Sequence, residues 1–292
     1  MQPRHTMRRP STKTKCVRTL FSGIIHAFDR ITIYVDDRLS ENVIKSRIGN
    51  DCNNVEVRHP IHKYHRIWAT KIELFQPTPE ALVELSRIVG VRNLTKISRA
   101  EIAIDWLTSN KGNATDIGRY LLEHMVVPWT RASVRIEDTT VYFNRRTSSN
   151  GKPSPKGTVF YVDRPSKLLA GRHPSACCHL EQRLADHASC SSIGLNTLDD
   201  CISFDHLRFW QSELRLRQFS SKADLGAALS IRAGLSGSAH RSRAMHFLKQ
   251  HRAAPAYAPA YVLQSCVRAA PIIRRTLTRI DNKHLLATQM CT

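Results

Sequence analysis

The sequence lacks several features that would place it in common protein classes. It has no run of about 18 uncharged apolar residues, which excludes a membrane-spanning helix of ordinary length. Its basic N-terminus is not followed by the apolar stretch of a secretory signal, so we expect a cytoplasmic protein with no membrane partner. The 8 cysteines are scattered without a CxxC pair, which favours reduced thiols and argues against a structural zinc site.

Acidic residues are also scarce, and their distribution is uneven. The chain has 44 Lys and Arg against 24 Asp and Glu, a formal net charge of +20. Residues 1–20 carry six Lys or Arg and no acid, and residues 206–292 carry 14 against three acids, which leaves the centre nearly balanced. Because Lys and Arg bind nucleic acid by neutralising phosphates, this pattern predicts a polyanionic partner held by basic ends around an acid-bearing centre.

The apolar pattern of the centre predicts strands mixed with helices. Alternation over 28–37 predicts a strand with Arg30, Thr32 and Tyr34 on one face, and Asp29 on the other face with Ile31. A second alternating strand spans 97–106, and further strands are expected at 133–137, 139–145, 157–163 and 178–184. Helices are expected at 39–49, 78–90 and 114–126, while 203–219 reads either as a helix or as a helix ending in a strand.

This order predicts an α+β fold. We expect a mixed or antiparallel sheet with helices on one face and a polar catalytic face on the other, plus a helical basic C-terminal extension. Three regions follow: a disordered basic arm (1–20), the α+β domain (21–220) and the extension (221–292). The segment HPIHKYH (59–65) resembles a ligand cluster, but Pro60 interrupts it, and an exposed loop that touches phosphate is the favoured interpretation.

Five segments together resemble the replication initiation factor family, the rolling-circle initiators and related relaxases of plasmids and phages. They are FDRITIYVDD (28–37), ISRAEIAIDW (97–106), TVYFNRR (140–146), FYVDRPSK (160–167) and HLEQRL (179–184). The family pattern has an Arg-x-Asp strand, a Tyr-x-Gly-x-Arg hairpin, a Tyr-Asp-Lys segment and an Arg-x-Glu strand. Here Glu101 replaces the Asp, Asn144 the Gly and His179 the Arg, and Val162 separates Tyr161 from Asp163.

The resemblance implies a DNA-nicking enzyme that starts rolling-circle replication or mobilisation on single-stranded or supercoiled origin DNA. It implies Tyr161 as nucleophile, with Tyr142 as the runner-up, and Lys167 and Arg164 as residues that stabilise the phosphate and help to lower the pKa of the tyrosine. A divalent cation, Mg²⁺ or Mn²⁺, would be bound by a group drawn from Glu101, Asp105 and Glu181. DNA contacts are expected from Arg99, Arg145, Arg146 and Arg183, and the family's plasmid initiators, many of which act as dimers, suggest a homodimer.

Two alternatives stay open at this point. Glu101 and Asp105 could simply form a solvated strand face. They stand about 13 Å apart along one strand and cannot both bind one ion, so a metal site would need one of them together with Glu181 or Asp163 from a neighbouring strand. The chain could also be a non-enzymatic nucleic-acid-binding protein on the same fold with a decayed site. Survival of Tyr161, Asp163, Lys167 and Glu181 together favours the enzyme, since a pure binder has no need of acids facing a polyanion.

Overall fold

The computed structural model describes residues 20–63, 65–125, 132–137, 139–145, 156–168, 176–218 and 278–286. The strands are β1 (Gly23–Val35), β2 (Asn54–Arg58), β3 (Ile61–Lys63), β4 (Arg66–Trp68), β5 (Thr70–Phe75), β6 (Thr95–Leu107), β7 (Ala132–Glu137), β8 (Thr140–Arg145), β9 (Lys156–Tyr161), β10 (Cys177–Leu184), β11 (Leu216–Gln218) and β12 (Thr278–Ile280). The helices are α1 (Glu41–Ile48), α2 (Pro79–Val89), α3 (Lys111–His124), α4 (His187–Ser191), α5 (Leu198–Ile202), α6 (His206–Glu213) and α7 (Lys283–Leu286).

Eight strands form one sheet in the order β2-β5-β1-β6-β10-β9-β8-β7. Every neighbouring pair in this sheet is antiparallel. The two longest strands, β1 and β6, pair at its centre. The α+β class with a large antiparallel sheet is therefore confirmed.

One face of the sheet is apolar and is covered by helices. Ile31 and Ile33 of β1 and Ile102 of β6 are fully buried there, in one core cluster with the inward residues of α1, α2 and α3. Alternation of apolar residues on the strands and their 3.6-residue spacing on the helices produce this two-layer packing. The other face carries polar side chains, as predicted.

Helix ends follow local sequence signals. α2 begins at Pro79 because the Thr78 hydroxyl accepts a hydrogen bond from the Ala81 amide, and it ends before Gly90, whose φ of 76° suits glycine. α3 begins at Lys111, earlier than the predicted 114, because Asn110 caps it. Segment 203–219 contains both predicted elements, helix α6 followed by strand β11.

The described C-terminal residues pack into the same core. Leu285 and Leu286 of α7 are buried, and β12 pairs with β11. Residues 1–19 of the predicted arm, 219–220 of the predicted α+β domain, and 221–277 and 287–292 of the predicted extension lie outside the described residues. The three domain boundaries therefore stay predictions. Within the described part of the chain, no helix is both long and apolar enough to cross a bilayer.

Candidate functional site

Strand register brings the predicted tyrosine beside a buried histidine on the polar face. Asp105 of β6 lies opposite His179 of β10, and His179 lies opposite Tyr161 of β9. Residues directly opposite in antiparallel strands share a face with their Cβ atoms about 5 Å apart. Asp105, His179 and Tyr161 therefore form one row across three adjacent strands, and their side chains are all buried.

A β-bulge adds Asp29 to this face. The pairing of β1 with β6 shifts between Phe28 and Arg30, so that Asp29 is an extra residue and its carboxylate reaches the polar side. The prediction from strict alternation, which placed Asp29 with Ile31 on the apolar face, is therefore wrong. Bulges commonly re-aim a side chain next to a functional site.

Gln76 fixes the bulged residue from the end of β5. Its side-chain amide donates to Asp29 Oδ1 at 2.6 Å and to the Asp29 carbonyl at 2.9 Å, and its backbone N–H donates to the same carbonyl at 3.0 Å. Gln76 has a φ of 45°, in the left-handed region that non-glycine residues rarely adopt. Two backbone irregularities thus cooperate to hold one carboxylate.

Asp29, His179 and Glu181 form a group suited to one divalent cation. Each offers a ligand atom, and these atoms lie within 4.8 Å of one another. His179 Nε2 is 3.3 Å from Glu181 Oε2, close to the separation of about 3.0 Å expected for adjacent ligands around a six-coordinate ion with bonds of about 2.1 Å. Two carboxylates and one imidazole match the ligand preferences of Mn²⁺ more closely than those of Mg²⁺.

Further side chains orient these ligands. His179 Nδ1 contacts Asp105 Oδ1 at 2.5 Å, Ser166 donates to the other oxygen of Asp105, and Arg183 pairs with Glu181. A carboxylate on the second ring nitrogen is the usual support of a metal-binding histidine, because it fixes the ring and leaves Nε2 for the ion. Each of the three ligands is therefore held by a hydrogen bond or an ion pair from a neighbouring side chain.

The same contacts shift the pKa values of the ligands. Burial raises the pKa of Asp29 to about 6, and the charge of Glu181 adds to the effect. Burial also acts to lower the pKa of His179, but Asp105 and then Glu181 outweigh it and raise that pKa to about 10. For Glu181, His179 and Arg183 overcome burial and lower the pKa to about 2. Without an ion, these shifts leave an imidazolium at His179 beside a carboxylate at Glu181.

Tyr161 packs directly against this group. Its ring stacks on the His179 imidazole with centroids 4.5 Å apart and 16° between the planes, and the Arg164 guanidinium lies over the ring at 4.9 Å. Burial, followed by the charges of Asp105 and Asp29, raises the pKa of the Tyr161 hydroxyl. The expectation that nearby cations lower this pKa is therefore wrong for the chain alone, because the neighbouring carboxylates and burial dominate.

The predicted metal ligands take different places. Glu181 belongs to the ligand group, whereas Asp105 supports His179 through Nδ1. Glu101 accepts hydrogen bonds from Arg99, with the Arg99 Nε bond at 3.1 Å, and it lies opposite Arg183 in β10. The predicted set therefore contributes one ligand, one supporting residue and one arginine partner on the same face.

The remaining predicted residues surround the group or lie beyond the described part. Lys167 is exposed, and its carbonyl accepts from Asn53, whose amide also donates to Gln76. Tyr142 is half-buried in the row of Glu181 but two strands away from it, about 10 Å, whereas Tyr161 stacks directly on His179. The side chain of Arg145 and all of Arg146 lie outside the described residues.

Sequence reasoning missed Asp29, His179, Gln76 and Ser166. The sequence does hold a signal for His179, because this residue alternates with Glu181 and Arg183 on one strand. Asp29 had no such signal, since a bulge leaves no mark in an alternating pattern. Compared with known proteins, the chain matches no family model and no curated protein.

Proposed function

We propose that this protein is a metal-dependent DNA strand-transferase that nicks one strand to start rolling-circle replication or mobilisation. One observation supports the proposal above the others: Tyr161 stacks on a histidine of a buried group that can hold a divalent cation. A tyrosine beside a cation site is the arrangement needed to cleave a phosphodiester and keep the product attached. The basic composition supports DNA as the substrate.

In the proposed reaction, Tyr161 Oη attacks a backbone phosphorus. A new bond forms between Oη and phosphorus, and the bond from phosphorus to the 3′ oxygen breaks. The electron pair stays on that oxygen, which takes up a proton to give a free 3′-OH, and the 5′ phosphate remains on the tyrosine. The Tyr161 proton passes to solvent or to a neighbouring carboxylate.

The chain's own residues would prepare this step. Asp29, His179 and Glu181 would hold the cation, Mn²⁺ or Mg²⁺, and Asp105 and Gln76 would orient two of them. When bound, the cation supplies positive charge that offsets the carboxylates and the charge developing on the phosphate. Arg164, which lies over the Tyr161 ring, and the exposed Lys167 would contact the phosphate.

A non-enzymatic nucleic-acid-binding protein is the second candidate, and one observation favours it. Glu181 is already neutralised by His179 and Arg183, so the buried group is also a self-consistent ion network. In that case the cluster stabilises the sheet and the basic surface alone binds nucleic acid.

The first experiment separates the two candidates. Purified protein is incubated with single-stranded and supercoiled DNA in Mn²⁺, Mg²⁺ or EDTA, and denaturing electrophoresis detects a covalent protein–DNA adduct. We expect an adduct in Mn²⁺ that is lost in EDTA, in Tyr161→Phe and in Asp29→Asn. Tyr142→Phe is the matched control and should retain the adduct.

A parallel measurement follows Mn²⁺ binding by electron paramagnetic resonance. Tyr161→Phe should bind Mn²⁺ like the wild type, whereas Asp29→Asn should not. Absence of both Mn²⁺ binding and adduct in the folded wild-type protein would favour the binding protein. An adduct that persists in Tyr161→Phe and disappears in Tyr142→Phe would move the nucleophile to Tyr142.

A further inference from the structure

We propose that single-stranded DNA lies over the basic end of the polar face, from the ligand group across β6, β1 and β5 to the β3–β4 hairpin. This inference rests on the proposed function, because it assigns the path of the substrate to that site. The path is defined by strand register and is distinct from the basic chain ends that the sequence singled out.

The first observation is a row of three cations across four strands. Arg58 of β2 lies opposite Lys71 of β5, Lys71 lies opposite Tyr34 of β1, and Tyr34 lies opposite Lys96 of β6. Since opposite residues share a face, these side chains form one line perpendicular to the strands. This basic row lies on the same face as the ligand group.

Three arginines lie between the basic row and the ligand group. Arg30, Arg99 and Arg183 each pair with a glutamate, namely Glu73, Glu101 and Glu181 respectively. In every pair the glutamate side chain is no more than 7% exposed, whereas the arginine side chains are 24%, 35% and 42% exposed. The carboxylates lie beneath and hold the guanidinium groups at the surface, where their remaining donors can contact phosphate.

Arg30 shows this arrangement next to the ligand group. One of its terminal nitrogens donates to Glu73 at 2.7 Å, and the exposed part of its side chain is the part that phosphate could contact. Arg30 also lies opposite Glu101 in the row next to the ligand group. A phosphate bound at Arg30 would be the neighbour of the phosphate held at the cation.

The β3–β4 hairpin extends the path beyond the basic row. Arg66 lies over the Trp68 ring at 4.8 Å and pairs with Asp36 at 3.3 Å, and Trp68 packs against Tyr34. These contacts attach the hairpin to the sheet beside the row. Lys63 is exposed on it, and the Ile67 side chain next to Arg66 is 58% exposed.

The length of the path and the burial of the site favour single-stranded DNA over a duplex. Asp29 and Tyr34 are five residues apart on β1, about 17 Å, which suits a few nucleotides of extended chain. Tyr161 and His179 are buried, and a flexible unpaired strand can bring one phosphate to them more readily than a rigid duplex. Basic grooves of this kind are the usual means of binding single strands without sequence preference.

The test measures the salt dependence of binding to a 20-nucleotide fluorescein-labelled single strand by anisotropy in the full chain. The variant Arg58→Gln/Lys63→Gln/Lys96→Gln removes three cations from the path. We expect the slope of log affinity against log salt to become less steep by about 2, since each contact with a single strand contributes about 0.7. Thermal unfolding verifies that the variant is folded.

The matched control is Lys45→Gln/Arg87→Gln/Arg119→Gln, which removes three cations from α1, α2 and α3 on the opposite side of the sheet. It should leave the slope unchanged, and the basic chain ends contribute equally to both proteins. Equal slopes for the two triple variants would overturn the proposed path. Tighter binding of the matching duplex, with the same loss of slope, would overturn the assignment to a single strand.

Failure of this inference is distinguishable from failure of the proposed function. An adduct at Tyr161 together with an unchanged slope would contradict the proposed DNA path and support the proposed nicking activity. A reduced slope without an adduct on any DNA would support the proposed DNA path but favour a non-enzymatic binding protein.

Discussion

At His179, one imidazole joins two buried carboxylates and an aromatic ring. Asp105 contacts Nδ1 and Glu181 contacts Nε2, while Tyr161 covers the ring. With a raised pKa, the ring is charged at neutral pH and balances the two carboxylates. A buried charge arrangement of this kind is stabilising only while every partner keeps its charge.

The stability of the metal-free protein should depend on pH through His179. The folded-state pKa of His179 is raised from 6.5 to about 10, so its contribution to stability is fully present below pH 6.5 and is lost as pH rises through 10. In EDTA, the urea midpoint of the wild type should therefore fall between pH 7 and pH 10. His179→Gln should be less stable at pH 7, by roughly 3–5 kcal/mol, with a flatter pH dependence.

Exposed His62 provides the control for this experiment. His62→Gln should follow the wild-type pH curve, because the side chain lies on the surface of β3. If His179→Gln loses stability toward pH 10 as steeply as the wild type, His179 is not the charged group that we infer.

At the scale of elements, α3 sets the position of the tyrosine segment. Gly118 faces Val162, the residue after Tyr161, so closely that a Cβ atom on residue 118 would lie 2.5 Å from Val162 Cγ1. Val162 is itself buried in the core. The helix is therefore in close contact, through Gly118, with the residue that follows Tyr161.

Gly118→Ala should consequently destabilise the protein by about 1–3 kcal/mol through overpacking, despite the better helix propensity of alanine. It should also reduce adduct formation by displacing Tyr161. The double variant Gly118→Ala/Val162→Ala should recover part of the loss in both measurements, chemical denaturation and the adduct assay. Gly49→Ala is the control, because a Cβ there meets no atom within 4 Å; equal effects at the two glycines would contradict the packing argument.

At the scale of the whole molecule, residues far apart in sequence complete one core. Trp106 Nε1 donates to the Leu285 carbonyl at 2.7 Å, and Asn282 donates to the carbonyls of Gln211 and Leu214. Trp106 belongs to β6, the strand that also carries Asp105. The described C-terminal residues thus support the central strand from the side opposite the candidate site.

Leu285→Ala should lower the free energy of unfolding by about 2–5 kcal/mol, because the leucine is fully buried. Lys283→Ala, on the exposed side of the same helix, should change it by less than about 0.5 kcal/mol. Chemical denaturation with two optical probes measures both. A cost for Leu285→Ala no larger than that for Lys283→Ala would show that α7 does not contribute to the core.

Sequence patterns predicted the elements of this molecule better than its site. Thr78 and Gly90 bound α2 as expected, and alternation placed Arg99, Glu101 and Asp105 on one polar face, because caps and strand periodicity are local. Asp29 depends on a bulge opposite β6, and the neighbours of His179 come from β6 and β9. Such contacts between distant segments carry no local sequence pattern, so the sequence predicted Glu181 as a ligand but not its grouping with Asp29 and His179.

The bulge at Asp29 also limits how this site could be transferred by design. The ligand group combines a residue that breaks the alternation of β1 with two residues that obey the alternation of β10. Grafting the three side chains onto a regular antiparallel sheet would turn the aspartate toward the opposite layer. A working graft would have to copy the inserted residue together with the left-handed glutamine that holds it, so the transferable unit is a backbone irregularity as much as a set of side chains.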